Sequence, residues 1–309
     1  MDLTAISPTL LVASLMVAAT PILLAALGEM VVEKSGVLNL GVEGMMIMGA
    51  ITGFIAAVET GSPWLGFGAA VIGGAAVALL FGVLTQVLLS NQVATGLALT
   101  LFGLGLSSLL GQGYVGIKAT SLGRLDFGPL SDIPFFGRVL FGHDPIVYIS
   151  LLVVVAVWAF LRFTRAGLIL RAVGESHEAA HALGYHVRRV RLMAIAFGGA
   201  CAGLGGAYLS LVRVPQWTEG MTAGAGWIAL AIVVFASWRA PRVLLGAYLF
   251  GGITVLQLNL QTAGAQVPVE LLSAAPYLVT ILVLVLISLR AGRSGDAPAD
   301  LGKPFHASS

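Results

Sequence analysis

Charged side chains are scarce in this chain. Asp, Glu, Lys and Arg make up 10% of its 309 residues, whereas 58% are hydrophobic and the mean hydropathy is +0.98. Soluble globular domains carry about 25% charged residues, so this composition excludes a soluble domain and indicates a membrane protein. The net charge of +2 is too small to indicate a nucleic-acid partner.

Three other features are missing, and each absence excludes a class of protein. The chain has one cysteine, Cys201 inside an apolar run, so it has no disulfide framework and we expect a small buried side chain there. No Lys or Arg precedes Lys34, so the first apolar run lacks the basic region of a secretory signal and should remain in the mature protein. The phosphate-binding loop GxxxxGK[ST] is also absent, so this chain cannot hold and hydrolyse ATP by that device, and any energy from ATP would have to come from a partner.

Long apolar runs predict the fold. A transmembrane helix needs about 20 apolar residues, and nine runs approach that length. They predict an all-α, polytopic membrane helix bundle, in which 40 glycines would let the helices approach closely. The predicted spans are 7–28, 42–58, 64–89, 93–111, 146–163, 192–213, 226–237, 243–262 and 270–289.

Two of these spans are short or interrupted. Span 226–237 has only twelve residues, and span 42–58 begins with Glu43 and is rich in Gly and Met. Broken helices are tolerated at membrane depth only where protein or a water-filled path shelters their backbone. We therefore expect both spans to line a path.

The basic residues predict the orientation in the membrane. If the loop at 164–191 is cytoplasmic, twelve of the 16 Lys and Arg residues lie on the cytoplasmic side. The N-terminus is then outside and the C-terminus inside, in a bacterial cytoplasmic (inner) membrane, and the loop at 112–145 faces outward.

The order of the spans favours an internal repeat. In each half, a long span and a Gly-containing loop precede a short span, as in inverted repeats built around a central transport site. We predict a single transmembrane domain over residues 1–290, with a cytoplasmic loop and a disordered cytoplasmic tail. Repeat one covers about 7–111, the linking span 146–163, repeat two about 192–289, the loop 164–191 and the tail 291–309.

Residues 177–181, HEAAH, match the HExxH pattern of zinc hydrolases. On a helix His177 and His181 share a face, so both could bind one zinc ion while Glu178 activates water. The third ligand of the longer signature would fall at Val187, which cannot bind a metal. We therefore expect no metal site here, and a membrane zinc hydrolase is the weaker alternative.

The same stretch also fits a short helix that docks on another protein. Glu175 and Ser176 would cap this helix, small side chains on its surface would permit close approach, and a glycine would end it. His177 and His181 would then be surface residues at the contact, and an ordinary solvated loop is the remaining interpretation. The residues expected to carry the contact are Glu175, Ser176, Glu178, Ala179, Ala180 and Gly184.

Three acidic residues lie near the ends of the first two spans. Glu29, Glu33 and Glu43 are costly in lipid and should face protein or water. They form either an ion path, as in a secondary transporter, or a structural network in which Lys34 pairs with one acid. We favour the network, because charges near the membrane surface cost less than charges at its centre. Asn39 is the better path candidate, since its amide can hydrogen-bond the hydroxyls of a sugar.

Further polar residues flank the spans on both sides. Trp217 and Glu219, next to Gln216, precede the short span of the second half and would suit a nucleobase or sugar ring. An interfacial Trp anchor fits Trp217 equally well. Asn91 and Gln92 either line the exit of a path or cap a helix.

Four motifs give the chain a resemblance to a known family. They are EKSGVLNLGVEGMM at 33–46, NQVATGLALT at 91–100, GMTAGAGWIALA at 220–231 and WRAP at 238–241. With these motifs the chain resembles the membrane permeases of ABC importers in the branched-chain amino acid, simple sugar and nucleoside class. Within that class it is most similar to the shorter permease of two-permease nucleoside systems.

The resemblance implies a function and a set of partners. It implies a bundle like that of type II importers, a coupling helix within 175–184, and a translocation path where two permeases meet. The implied partners are a second permease, an ABC ATPase subunit and an extracytoplasmic solute-binding protein, and the chain itself would be neither an enzyme nor a cofactor-binding protein. The solute would be a nucleoside or a simple sugar. Candidate path residues are Asn39, Glu43, Asn91, Gln92, Trp217 and Glu219.

Overall fold

A computed structural model describes residues 8–134, 136–262 and 297–306, together with positions 274, 278, 281, 282 and 285. The described chain is helical, and two isolated β-bridges join the loop after the fourth helix to the loop before the tenth. The helices are α1 Pro8–Lys34, α2 Val42–Thr60, α3 Pro63–Gly82, α4 Gln92–Gly111, α5 Phe136–Leu140, α6 Pro145–Phe163, α7 Arg165–Glu175, α8 His177–Ala182, α9 Val187–Tyr208, α10 Ala225–Phe235 and α11 Ala240–Thr262. A π-turn extends α3 through Val83–Val87 and another extends α9 through Leu209–Arg213.

Seven of the described helical segments are long and apolar enough to cross a membrane. They correspond to seven of the nine predicted spans and confirm a multi-pass helical membrane protein. The predicted span at 226–237 is the short helix α10, and the predicted span at 270–289 lies outside the continuously described residues.

Helix α9 lies at the centre of the bundle and packs against α1, α2 and α3 through glycines. A Cβ atom on Gly28 of α1 would lie 2.7 Å from the Cβ of Cys201 on α9. Cβ atoms on Gly49 of α2 and Gly74 of α3 would overlap the backbone of α9. The predicted close approach of helices is therefore confirmed, and Cys201 is the small buried residue expected.

Two ends of the bundle can be distinguished. At one, which we call the α8 end, the C-terminus of α1 at Lys34, helix α8 and residues 297–306 meet. At the opposite end lie the N-terminus of α6 at Asp144 and the loop that carries Trp217.

The prediction of a disordered tail is wrong for residues 297–306. The Asp300 backbone N–H donates to Gly174 O at 3.0 Å, and the Gly302 N–H donates to Gly36 O at 3.1 Å. The Phe305 side chain is buried against α7, α8 and α9. Polar composition alone indicates disorder, but a buried aromatic and paired backbone groups dock this segment on the helices.

Candidate functional site

Helix α2 begins at mid-depth in the bundle. Its residue Gly44 lies against the middle of α4, where an added Cβ would be 2.6 Å from Leu99 O. The loop that precedes α2 runs along the first half of α4. The Leu38 N–H donates to Gln92 Oε1 at 2.8 Å, and the Thr100 hydroxyl donates to Leu40 O at 3.2 Å. The second predicted span is therefore a continuous helix that begins inside the bundle, and α4 shelters the non-helical loop before it.

The N-terminus of α10 meets the start of α2 at this depth through Glu43. This buried carboxylate accepts hydrogen bonds from the Thr222 hydroxyl at 2.5 Å, the Gly224 N–H at 2.9 Å and the Gly226 N–H at 2.7 Å. Helix N-termini carry unpaired N–H groups and a partial positive charge, and an acidic side chain satisfies both. Glu43 thus caps α10 from another helix, and we call this contact the broken-helix junction.

Asn39 shapes the loop that leads to the junction. Its Oδ1 accepts the Gly41 N–H at 2.9 Å, and its Nδ2 donates to Glu29 Oε2 at 3.3 Å. Asn39 is buried and is bonded within the protein in this structure. The other oxygen of Glu29, Oε1, is buried with no hydrogen-bond partner among the described residues.

Glu33 is bonded to a residue whose role sequence analysis missed. Trp238 donates from Nε1 to Glu33 Oε2 at 2.5 Å, across the C-terminal end of α1. Ser237 and Trp238 have φ values of +49° and +53°, in the left-handed region that costs a side-chain-bearing residue about 1–2 kcal/mol each. The hydrogen bond from the indole helps to hold this strained turn between α10 and α11. Glu33, like Glu43, is therefore part of a structural network.

The other candidate path residues have structural partners. Asn91 is the N-cap of α4, with Oδ1 accepting the Ala94 N–H at 3.0 Å. Gln92 accepts the Leu38 N–H of the α1–α2 loop through Oε1, and its buried Nε2 has no hydrogen-bond partner among the described residues, so helix capping is seen for Asn91 and not for Gln92.

Trp217 is not a lipid anchor. It is 2% exposed and packs over Gly111 at the end of α4, where any side chain would overlap the indole. Its neighbour Glu219 is exposed and accepts a hydrogen bond from the Ser108 hydroxyl at 2.5 Å. The alternative of an interfacial anchor is therefore wrong, because Gly111 leaves space for the ring inside the protein.

The predicted loop helix is present as α8. Ser176 is its N-cap and accepts the Ala179 N–H at 3.3 Å, and Gly184 follows it with a φ of +87°. Glu178 and Ala179 are exposed, and Glu175 is exposed on the preceding helix. Placing Ala180 on the contact surface was wrong, because this side chain packs inward against Val173, Val187 and Phe305.

His177 is buried, which corrects the expectation of a surface histidine. Its Nδ1 lies 2.7 Å from Asp300 Oδ2, which also accepts the His177 backbone N–H at 2.8 Å. Burial lowers the pKa of His177 below its ordinary value of 6.5, against the opposing attraction of Asp300. Burial alone would raise the pKa of Asp300, but the bonds from His177 and Lys303 outweigh it and hold this pKa below 3.8. The apolar docking of the tail is what makes His177 an interior residue.

Arg191, which sequence analysis counted only as an orientation signal, fixes the tail and α8 to α1. Its side chain is fully buried and donates to Ser35 O at 3.2 Å, Gln86 Oε1 at 3.3 Å and Lys303 O at 3.1 Å. Burying a guanidinium is costly unless its donors are paired. No local signal indicated this role, since Arg191 lies just before the predicted span at 192–213 and belongs to the membrane-length helix only because α9 begins at Val187.

The HEAAH motif does not form a metal centre in the described part of the chain. Phe305 packs edge-to-face against both imidazoles, with ring centroids 5.4 Å from His177 and 5.2 Å from His181. No group of three or more His, Cys, Asp or Glu side chains in the described ranges is placed to hold a metal ion. An apolar ring therefore occupies the region next to both histidines, where a shared metal would need a further ligand.

Two adjacent cavities lie between the broken-helix junction and the end of the bundle opposite the α8 end. One of about 740 Å³ is lined by polar residues that include Arg124, Asp144 and Arg213. The second, of about 230 Å³, lies between α1, α10 and α11 and reaches Thr222. Both have Ala18 and Arg213 in their walls, so the two cavities adjoin, and the second reaches Thr222, whose hydroxyl donates to Glu43.

This fold defines a multi-pass membrane protein, and helices that begin at mid-depth, as α2 and α10 do, are typical of transporters. Residues 11–288 match the family described as branched-chain amino acid transport system / permease component, and the chain belongs to that family. The resemblance noted from the motifs is thereby confirmed. The chain is a transport component and not an enzyme.

Similar proteins cover nearly the whole chain. A Haloferax volcanii protein provisionally named glucose ABC transporter permease protein TsgC13 is 43% identical, over 88% of this chain and 90% of that protein. The nucleoside ABC transporter permease protein NupC of Lactococcus lactis is 31% identical, over 90% and 92%. The guanosine ABC transporter permease protein NupQ of Bacillus subtilis is 31% identical, over 96% of each.

The first and third of these organisms each have a second similar permease, TsgB13 at 28% and NupP at 24% identity. No solved structure matches this chain.

Proposed function

We propose that this chain is the permease subunit of an ATP-driven importer for a neutral, hydroxyl-rich solute, either a nucleoside or a simple sugar. The names of its relatives mention glucose, nucleosides and guanosine, which are uncharged and rich in hydroxyl groups. Glu43 supports a neutral solute. It already occupies the positive N-terminal end of α10, which would otherwise favour an anionic group such as the carboxylate of an amino acid.

The broken-helix junction forms one wall of the translocation path, and a second permease supplies the other. Asn39 and Glu43 build this wall, Glu219 lies toward its outer end, and Asn91 and Gln92 lie toward its inner end. The two adjacent cavities would be the outward approach to it. Two organisms each have two permeases similar to this chain, which supports a heterodimer.

Helix α8 is the coupling helix, and its attachment to the bundle is the strongest support for this role. It presents Glu178 and Ala179 to solvent, while Asp300 and the buried Arg191 fix it to the end of α1. A push on an element held by hydrogen bonds and packing moves the helices to which it is fixed. An ABC ATPase subunit would supply that push, and an extracytoplasmic binding protein would deliver the solute.

The α8 end faces the cytoplasm in this proposal, with the N-terminus outside. The end of α1, helix α8 and the tail lie together at one end of the bundle, as the distribution of basic residues requires. Helix α11 starts beside Trp238 at the α8 end, and its residues Val255 and Leu258 reach the cavity at the opposite end. The ninth span predicted at 270–289, which lies outside the continuously described residues, and the inverted repeat remain parts of this proposal.

The variant Glu178→Arg tests the coupling role. The side chain is exposed, so we expect the variant to insert and fold normally but to co-purify poorly with the ATPase subunit and to lose most ATP-driven uptake in proteoliposomes. Glu59→Arg is the matched control, because Glu59 is an exposed acid at the opposite end of the bundle.

Equal co-purification and equal uptake for Glu178→Arg and the control would refute the coupling role. Uptake by the permease reconstituted without any ATPase would instead favour a secondary transporter. In that case Glu29, with its one unpartnered buried oxygen, would be the acid to examine.

A further inference from the structure

A cleft of about 730 Å³ lies at the α8 end, between α1, α6, α7 and the turn from α10 to α11. Its walls are strongly basic, and none of its lining residues is an acid. Two tryptophans, Trp158 and Trp238, also line the cleft. The basic lining residues are Lys34, Arg162, Arg171, Arg239 and Arg242.

Glu33, which precedes Lys34 in the chain, is not among the residues that line the cleft. Glu33 lies behind Trp238 and accepts its indole N–H, in a position buried from solvent. Arg171 has a buried Nε atom without a hydrogen-bond partner among the described residues. Like charges gathered in one cleft repel one another, so the cleft favours an anionic ligand that can accept several hydrogen bonds.

The surroundings of the cleft are those of a lipid-facing surface. Helix α6 carries Arg162 in its last turn and leaves Trp158 44% exposed and Phe163 70% exposed. The amphipathic helix α7, which follows, leaves Leu168 59% exposed. In a membrane protein, exposed tryptophans and apolar residues beside arginines mark the level where lipid headgroups meet acyl chains.

We propose that this cleft binds the phosphodiester headgroup of an anionic phospholipid. The arginine guanidinium groups are planar donors and would donate hydrogen bonds to the phosphate oxygens. The exposed apolar faces of α6 and α7 would contact the acyl chains. Basic pockets between transmembrane helices on the cytoplasmic side are suited to such headgroups. The proposal concerns a lipid and does not depend on the identity of the transported solute.

The test measures binding of phosphatidylglycerol to the full-length chain after removal of native lipid, by native mass spectrometry in detergent. The variant Arg162→Gln/Arg171→Gln removes two cleft charges. The control Arg188→Gln/Arg189→Gln removes two exposed charges at the start of α9, at the same end but outside the cleft. At about 1 kcal/mol per basic residue near a headgroup, we expect phosphatidylglycerol affinity to fall at least about tenfold for the cleft variant. Binding to the control should change little, and phosphatidylcholine should bind weakly to all three proteins.

Three results would overturn the proposal. Equal losses in both double variants would mean that general surface charge attracts the lipid. Full competition by inorganic phosphate at equal concentration would mean that the cleft binds a free anion. Unchanged phosphatidylglycerol binding, together with lost co-purification of the ATPase subunit, would assign the cleft to a protein partner. If the double variant fails to fold, Arg242→Gln on the opposite wall supplies the same comparison.

Discussion

Replacing Glu43 by Gln should destabilise the broken-helix junction by about 1–4 kcal/mol. The carboxylate accepts Thr222 and Gly224 on Oε1 and Gly226 on Oε2. Glutamine keeps one acceptor oxygen but places an NH2 group against the Gly226 N–H. A buried donor left unpaired costs about 1–3 kcal/mol, and loss of the negative charge at the helix N-terminus adds about 0.3–1 kcal/mol.

The change is measured as the midpoint of thermal unfolding in detergent and as ATP-driven uptake in proteoliposomes. At about 2–4 °C per kcal/mol, Glu43→Gln should lower the midpoint by several degrees. Uptake should be reduced most at the higher temperatures and should recover on cooling. Thr222→Val is the matched control: it removes one donor and leaves Oε1 its bond from Gly224, so it should cost about 1 kcal/mol.

The same variant separates the two interpretations of the acidic residues. If Glu43 were an ion-coupling group, Glu43→Gln would abolish uptake without lowering the unfolding midpoint. An unchanged midpoint, or a Thr222→Val effect equal to or greater than that of Glu43→Gln, would refute the capping role.

Three further predictions concern the docked tail and the central helix. Asp300→Ala removes the acceptor for the His177 N–H and should weaken docking of residues 297–306 by about 1–3 kcal/mol. Hydrogen–deuterium exchange of that segment should then be faster than in the unmodified protein. An unchanged exchange rate would contradict the prediction. Because burial holds the pKa of docked His177 below 6.5, the undocked state binds a proton more readily, so docking should weaken as pH falls below about 6.5 and stay constant above it. Gly206→Ala should lower the unfolding midpoint, because its Cβ would overlap Met46 O. Gly105→Ala, which has open space in a helix, should leave the midpoint unchanged or raise it, and equal effects would contradict the packing argument.

Local signals predicted the helices well. Apolar runs bounded by turn residues gave seven spans that the structure confirms, and the helix α8 follows from Ser176 as a cap and Gly184 as a stop. Both signals are contained within a few neighbouring residues, so no knowledge of tertiary packing was required.

Contacts between distant residues could not be predicted in the same way. His177 is buried only because Asp300 and Phe305, more than 120 residues later in the chain, dock on it. Trp217 is buried only because Gly111 leaves room beneath it. A single sequence contains these residues but not their pairing, so surface positions were the default expectation for both.

The docked tail also connects the two parts of the candidate site. Asp300 holds α8, and two residues further on Gly302 bonds to Gly36, at the start of the loop that runs along α4 to Glu43. Gly36 has a φ of +86° and an added Cβ would lie 2.9 Å from the Arg191 guanidinium, so this turn accepts no side chain. If α8 is displaced, either the start of this loop moves with it or the hydrogen bonds of Asp300 and Gly302 that join them must break. The route from α8, the proposed coupling helix, to the junction is short and made of paired groups, and a contiguous network of this kind is one means of transmitting motion between two states.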